Sequence, residues 1–186
     1  MPKLLYLMRT ADCSDNPLLA TFDNILRSGL SRILNVNLSD THLLQASLPV
    51  RHGGLGIRSG QMLAPSAFLS SAASTHDLQQ SIFPESVGSL DDESLPAAET
   101  RWTSLCNSQK PGAESAHIQR AWDKLVAERH EGVVWSHAST DIDKARLLAA
   151  SSPHSGDWLE GQRSLWANFV PFPRLSITCA ENSRFS

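Results

Sequence analysis

Three glycines within four positions constrain this chain more than any other feature. Gly53, Gly54 and Gly56 fall in the string Gln45-Ala46-Ser47-Leu48-Pro49-Val50-Arg51-His52-Gly53-Gly54-Leu55-Gly56-Ile57-Arg58-Ser59. Glycine reaches backbone conformations closed to residues that carry a Cβ, so a fixed, tight structural turn is expected here. Arg51 and Arg58 bracket the turn, and Leu55 and Ile57 alternate as its anchors. No nucleotide pocket is expected, because the glycines lack both the Lys-Ser/Thr ending of a P-loop and the full dinucleotide spacing. What remains is a contact of Arg51 and Arg58 with a nucleic-acid backbone, helped by exposed glycine N–H groups. The competing reading is a structural turn whose arginines pair with local acids.

Helical periodicity governs the rest of the first sixty residues. Asn16 precedes Pro17, which puts a capping side chain before a proline suited to the first helical position. Leu18, Phe22, Ile25, Leu26, Leu30, Ile33 and Leu34 follow at helical spacing and predict a helix over 17–35 with one apolar stripe. Asp23 and Arg27, four apart, are expected to pair on its outer side. Ser39 is placed to cap a short helix carrying Leu43 and Leu44 before the glycine turn. From Ser59 onward Met62, Leu63, Phe68, Leu69 and Ala72 predict another helix, kinked or restarted at Pro65. Ala64, Ala67, Ala72 and Ala73 suit close helix–helix approach.

Residues 84–98 combine Pro, Gly and Ser with Asp91-Asp92-Glu93 and read as a linker. Three helices are expected beyond it. Glu99–Cys106 carries Trp102 and Leu105. Ala116–His130 carries Ile118, Trp122, Leu125 and Val126. The third is capped by Asp141 and carries Ile142, Ala145, Leu148 and Ala149. Ser152 to Gly156 ends the third, and Asp157-Trp158-Leu159 opens another short element. The expected fold class is therefore mainly α: small helical bundles joined by a Pro/Ser/acidic linker. Residues 1–83 form one helical region, 84–98 the linker and 99–160 a second helical region, with a poorly ordered tail over 161–186.

A formal charge of -3 argues against a dedicated nucleic-acid binder. The mean hides a gradient, since residues 1–60 hold six Lys or Arg against four acids, and residues 61–100 hold six acids and no Lys or Arg. Any phosphate contact is thus expected in the first sixty residues or past Arg101. Cys13, Cys106 and Cys179 are too few and scattered for a disulfide framework or a zinc site, so a reducing intracellular compartment, cytoplasmic or nuclear, is expected. Leu4-Leu5-Tyr6-Leu7-Met8 is too short for a signal segment, and no run approaches membrane-spanning length. No membrane partner is expected.

No catalytic constellation, metal site or cofactor is expected either. Two-metal polymerase chemistry needs paired carboxylates on a tight hairpin. Asp91-Asp92 is the only Asp-Asp pair, and it lies in the linker with no flanking strand pattern. Ser152, His154, Ser155 and Asp157 cluster in sequence, but no Gly-x-Ser-x-Gly elbow accompanies them. Capping and turn formation account for such residues.

The glycine string resembles a segment downstream of the catalytic core in reverse transcriptases of non-LTR (LINE-type) retrotransposons. The likeness extends from about Lys3 to Leu159. It is also carried by Asp12-Cys13-Ser14-Asp15-Asn16-Pro17, by Leu63-Ala64-Pro65-Ser66-Ala67-Phe68, and by Ala145 to Ala150 with Pro153 to Leu159. The resemblance implies the thumb and post-thumb part of an RNA-directed DNA polymerase, a transposable-element product. Such a part would hold an RNA–DNA or other duplex by its backbone, with Arg51, Arg58, Arg27 and Arg32 as contacts. The palm and fingers would precede Met1, together with the catalytic aspartates, and would be the natural partners of the apolar faces. Relatives of this type often continue into a Cys/His cluster, whereas here Cys179 stands alone beyond Glu160. A decayed, non-catalytic element copy is therefore expected. The alternative is a helical protein-interaction module, or a remnant without function, with no nucleic-acid role.

Overall fold

The computed structural model describes residues 2–82 and 94–155. Within them every regular element is helical: α1 Pro2–Thr10, α2 Pro17–Leu34, α3 Asp40–Ser47, a 3-10 turn Val50–His52, α4 Gly60–Ile82, α5 Ser94–Cys106, α6 Gln119–His137 and α7 Asp141–Ser151. The Asp91-Asp92 pair, Cys179, the element at Asp157-Trp158-Leu159 and the tail 161–186 lie outside the described residues.

The α4 helix is the centre of the fold, packing against α1, α2, α5 and α6. Its first half explains why. Ala64, Ser66 and Ala67 are fully buried, and such small side chains let neighbouring backbones come close. The helix continues through Pro65, which is itself buried. Proline removes one backbone donor, so the Gln61 carbonyl loses its usual partner at that position. On one side of α4, Met8, Leu19, Leu63, Ala64 and Ala67 form a core with Leu4 and Leu5 of α1. On the other, Phe68 and Leu69 meet Ala98, Trp102, Cys106, Trp122 and Val126. The rings of Trp102 and Trp122 meet edge to face, 4.9 Å apart at 82°. Trp122 Nε1 donates to the Ala116 carbonyl at 2.7 Å, which satisfies its polar edge.

Several expectations need correction. Residues 94–98 of the expected linker begin α5, and Ala98 is fully buried against α4. Burial of Ala98 and Leu95 outweighs the local proline and serine content. Asp23 does not pair with Arg27. It caps α4 instead, while Arg27 pairs with Asp40 at 2.8 Å and donates to the Leu38 carbonyl at 2.7 Å. Thr140, not Asp141, caps α7, its hydroxyl accepting from the Asp143 N–H at 3.1 Å. α6 starts at Gln119 and runs to His137, with Val134 buried in its last turns. Within the expected helical region 1–83, α1 is an additional helix.

The predicted stripe of α2 is split in two. Asn16 caps as expected, accepting from the Leu18 N–H at 2.9 Å. However, the face turned to the core is Leu19 and Leu30, whereas Leu18, Ile25 and Ile33 are 70%, 65% and 82% exposed. At 100° per residue those three fall on one side, about a quarter-turn from the buried pair. The stripe of α7 is likewise turned outward, with Ile142 and Leu148 65% and 61% exposed.

Candidate nucleic-acid interface

The backbone of the glycine turn is closed on itself. Gly53 and Gly56 adopt φ of +76° and +68°, the left-handed region that favours glycine. Gly54 is held by proximity instead, since a Cβ there would run into the Leu48 carbonyl oxygen and lie 2.7 Å from that of Gln45. The N–H groups of Gly53, Gly54 and Gly56 donate to the carbonyls of Val50, Pro49 and Leu48 at 2.9, 3.2 and 2.9 Å. Leu55 and Ile57 both donate to the Ala46 carbonyl at 3.1 Å, which fastens the segment after the turn to the end of α3. The expectation that glycine N–H groups help bind phosphate is therefore corrected: all three are spent inside the turn.

What the turn does is present Arg51 and Arg58 to α6. Between them lies a cleft of about 910 Å³ whose polar lining includes Arg51, Arg58, Arg120, Asp123, Lys124 and His130. Its apolar floor comes from Leu48, Val50, Ile57, Met62, Leu63 and Val126. Residues 119–120, 123–124, 126–127 and 130 recur at helical spacing, so one face of α6 supplies the far wall. Asp123 is the single carboxylate among the lining residues.

The two turn arginines already have partners. Arg58 pairs with Asp123, whose side chain is only 15% exposed. Burial pushes the Asp123 carboxyl above its ordinary range, with the Arg58 charge pulling it back down. Arg51 Nε donates to His52 Nε2 at 3.0 Å, and His52 Nδ1 lies 2.8 Å from Glu131 Oε2. If Nε2 accepts, Nδ1 must carry the proton given to Glu131. These acids come from α6, 65 and 79 positions further along, rather than from the vicinity of the turn.

The other two expected arginines are elsewhere. Arg27 fastens the corner between α2 and α3, and Arg32 lies exposed on α2; neither lines the cleft. Arg120 and Lys124 were missed as members of the site. Lys124 lies 3.6 Å from Glu128, and Arg120 has no ion pair among the described residues. Their sequence signal was the spacing of Arg120, Lys124 and Ala127 on the side of α6 away from Trp122, but that spacing does not say what the face meets. His130 closes the end of the cleft, and burial followed by the Arg129 charge holds its imidazole below the ordinary value.

No family model, no curated protein and no solved structure matches this chain. The site therefore has to be read from its own chemistry. Among the described residues no group of three or more His, Cys, Asp and Glu is arranged to hold a metal ion. Burial raises the thiols of Cys13 and Cys106, the former with help from Asp12, which disfavours the nucleophilic thiolate at both positions. No described helix is long and apolar enough to cross a membrane.

Proposed function

We propose that this chain is a non-catalytic part of a non-LTR retrotransposon reverse transcriptase that contacts a nucleic-acid duplex through its backbone at the cleft between the glycine turn and α6. The supporting observation is the convergence of Arg51, Arg58, Arg120 and Lys124 on a cleft lined by a single carboxylate. Arg58 and Lys124 have acidic partners in Asp123 and Glu128, so in a chain of net charge -3 the positive lip rests on Arg51 and Arg120. Arg120, with no ion pair among the described residues, is the first candidate to meet a phosphate, and Arg51 and Arg58 do so by exchanging partners. Contacts of this kind are sequence-blind, with affinity in the non-specific range of roughly 10⁻⁶ to 10⁻⁴ M at physiological salt.

Fluorescence anisotropy with a labelled RNA–DNA duplex, titrated at several salt concentrations, tests the reading. Arg120→Ala with Lys124→Ala is expected to weaken binding and flatten the salt slope by up to about two charges; Arg51→Ala with Arg58→Ala acts in the same direction. Binding that is absent in the unaltered chain, or unmoved by both pairs of changes, refutes it.

A protein-interaction module is the second reading, and the outward face of α2 favours it. Leu18, Ile25 and Ile33 form an exposed apolar row on a helix whose adjacent side is already in the core. Association that ignores salt and is lost on Ile25→Asp would favour this reading over the first.

A further inference from the structure

We propose that the outward face of α2 is a self-association surface, on which a second copy of this chain lays its own α2 antiparallel. The proposal rests on the second reading above, in which that face binds protein, and it names the partner. Leu18, Ile25 and Ile33 form the exposed row, with Phe22 and Leu26 half-buried along its edge towards the core. The helix carries three charges, and two of them are engaged elsewhere. Asp23 holds the start of α4, and Arg27 pairs with Asp40. Only Arg32 borders the row, and no acid does.

The row is complementary to itself. A two-fold axis at the height of residues 25–26 sets Leu18 opposite Ile33 of an antiparallel copy, Ile25 beside its own counterpart, and Phe22 opposite Gly29. Gly29 supplies an independent sign. It stands in the middle of α2, where glycine lowers helix stability relative to alanine, yet a Cβ there would meet open space. No contact among the described residues calls for it, whereas a facing helix uses the notch to seat Phe22. The charges agree with this register. The two Arg32 side chains stand about 20 Å apart along the axis, beyond the screening length of about 8 Å at physiological salt. From two copies, six aliphatic side chains and the exposed parts of Phe22 and Leu26 take roughly 500 Å² of apolar surface out of water. The whole contact is about 1,000 Å². That size suits a weak, reversible dimer with Kd of about 10–100 μM.

Sedimentation equilibrium of the full chain, from about 2 to 500 μM and at low and high salt, tests the proposal. A monomer–dimer equilibrium that salt leaves unchanged is expected, because the contact is apolar. Ile25→Asp puts two like charges side by side at the axis and should raise Kd at least tenfold. Gly29→Leu closes the notch and should do the same, while its better helix propensity keeps the monomer folded. Circular dichroism and urea midpoints of both variants at low concentration establish that the fold is intact. A chain that stays monomeric up to 500 μM overturns the proposal but leaves the second reading standing, since a different protein could still occupy α2. A dimer that survives both substitutions, or that dissociates as salt rises, forms through another surface and overturns it as well.

Discussion

Asp23→Ala is expected to be among the most damaging single changes at a residue outside the apolar core. One carboxylate oxygen accepts the Gly60 N–H at 2.6 Å. The other accepts the Ser59 hydroxyl at 2.6 Å and the Gln61 N–H at 3.2 Å. These bonds hold the start of α4, a 23-residue helix against which α1, α2, α5 and α6 all pack. Loss of a capping side chain costs about 1 kcal/mol, and the charge at the positive end of the helix adds about 0.3–1 kcal/mol. The Ser59 hydroxyl also loses its charged acceptor, which brings the total to about 2–3 kcal/mol. Against a typical total stability of about 5–15 kcal/mol, that is a large share. In urea unfolding followed by circular dichroism, a slope of about 2 kcal/mol per M converts it into a midpoint lowered by about 1–1.5 M. Asp23→Asn keeps an acceptor for Gly60 but not a second charged oxygen, so it should fall between the two. Asp40→Ala, which removes the exposed partner of Arg27, serves as the control and should be nearly neutral. If Asp23→Ala unfolds within about 0.3 M of the unaltered protein, the capping argument fails.

Two further outcomes follow from the turn and from the cleft. Alanine substitution of the three glycines should damage in the order Gly54, Gly53, Gly56. Gly54→Ala drives a Cβ into backbone. Gly53→Ala combines a left-handed φ with a 3.2 Å approach to Ala150, and Gly56→Ala has the strained φ of +68° but open space. The last should cost about 1 kcal/mol, and thermal melts that reverse this order would refute the assignment. For His130, the folded state holds the imidazole below the ordinary 6.5, so the unfolded chain binds the proton more readily. The stability this contributes is complete above pH 6.5 and is lost as pH falls through the folded value. His130→Gln should therefore lose less stability than the unaltered protein between pH 7.5 and pH 5.5, as melting temperatures at each pH would reveal; parallel losses would show that burial does not perturb His130.

The sequence by itself determined the local structure. Asn16-Pro17 announced the start of α2, Ser39 that of α3, and helical spacing announced α4 to α7. Gly53 and Gly56 also followed from local rules, because a positive φ is a property of the residue's own backbone. Tertiary structure decided which way each helix faces. Spacing places Leu18, Phe22, Ile25, Leu26, Leu30 and Ile33 on one broad apolar arc, yet only the side touching α4 is buried, and nothing local marks where that contact stops. Tertiary structure likewise decided the partners of the charges. Asp23 is four residues from Arg27 and was free to pair with it, but the N-terminus of α4 offered two N–H groups and a hydroxyl at once. The candidate site divides in the same way. The arginines bracketing the turn were legible. Their joining to Arg120, Asp123 and Lys124 was not, because side chains more than 60 positions apart become neighbours only when α6 packs beside the turn against α3 and α4.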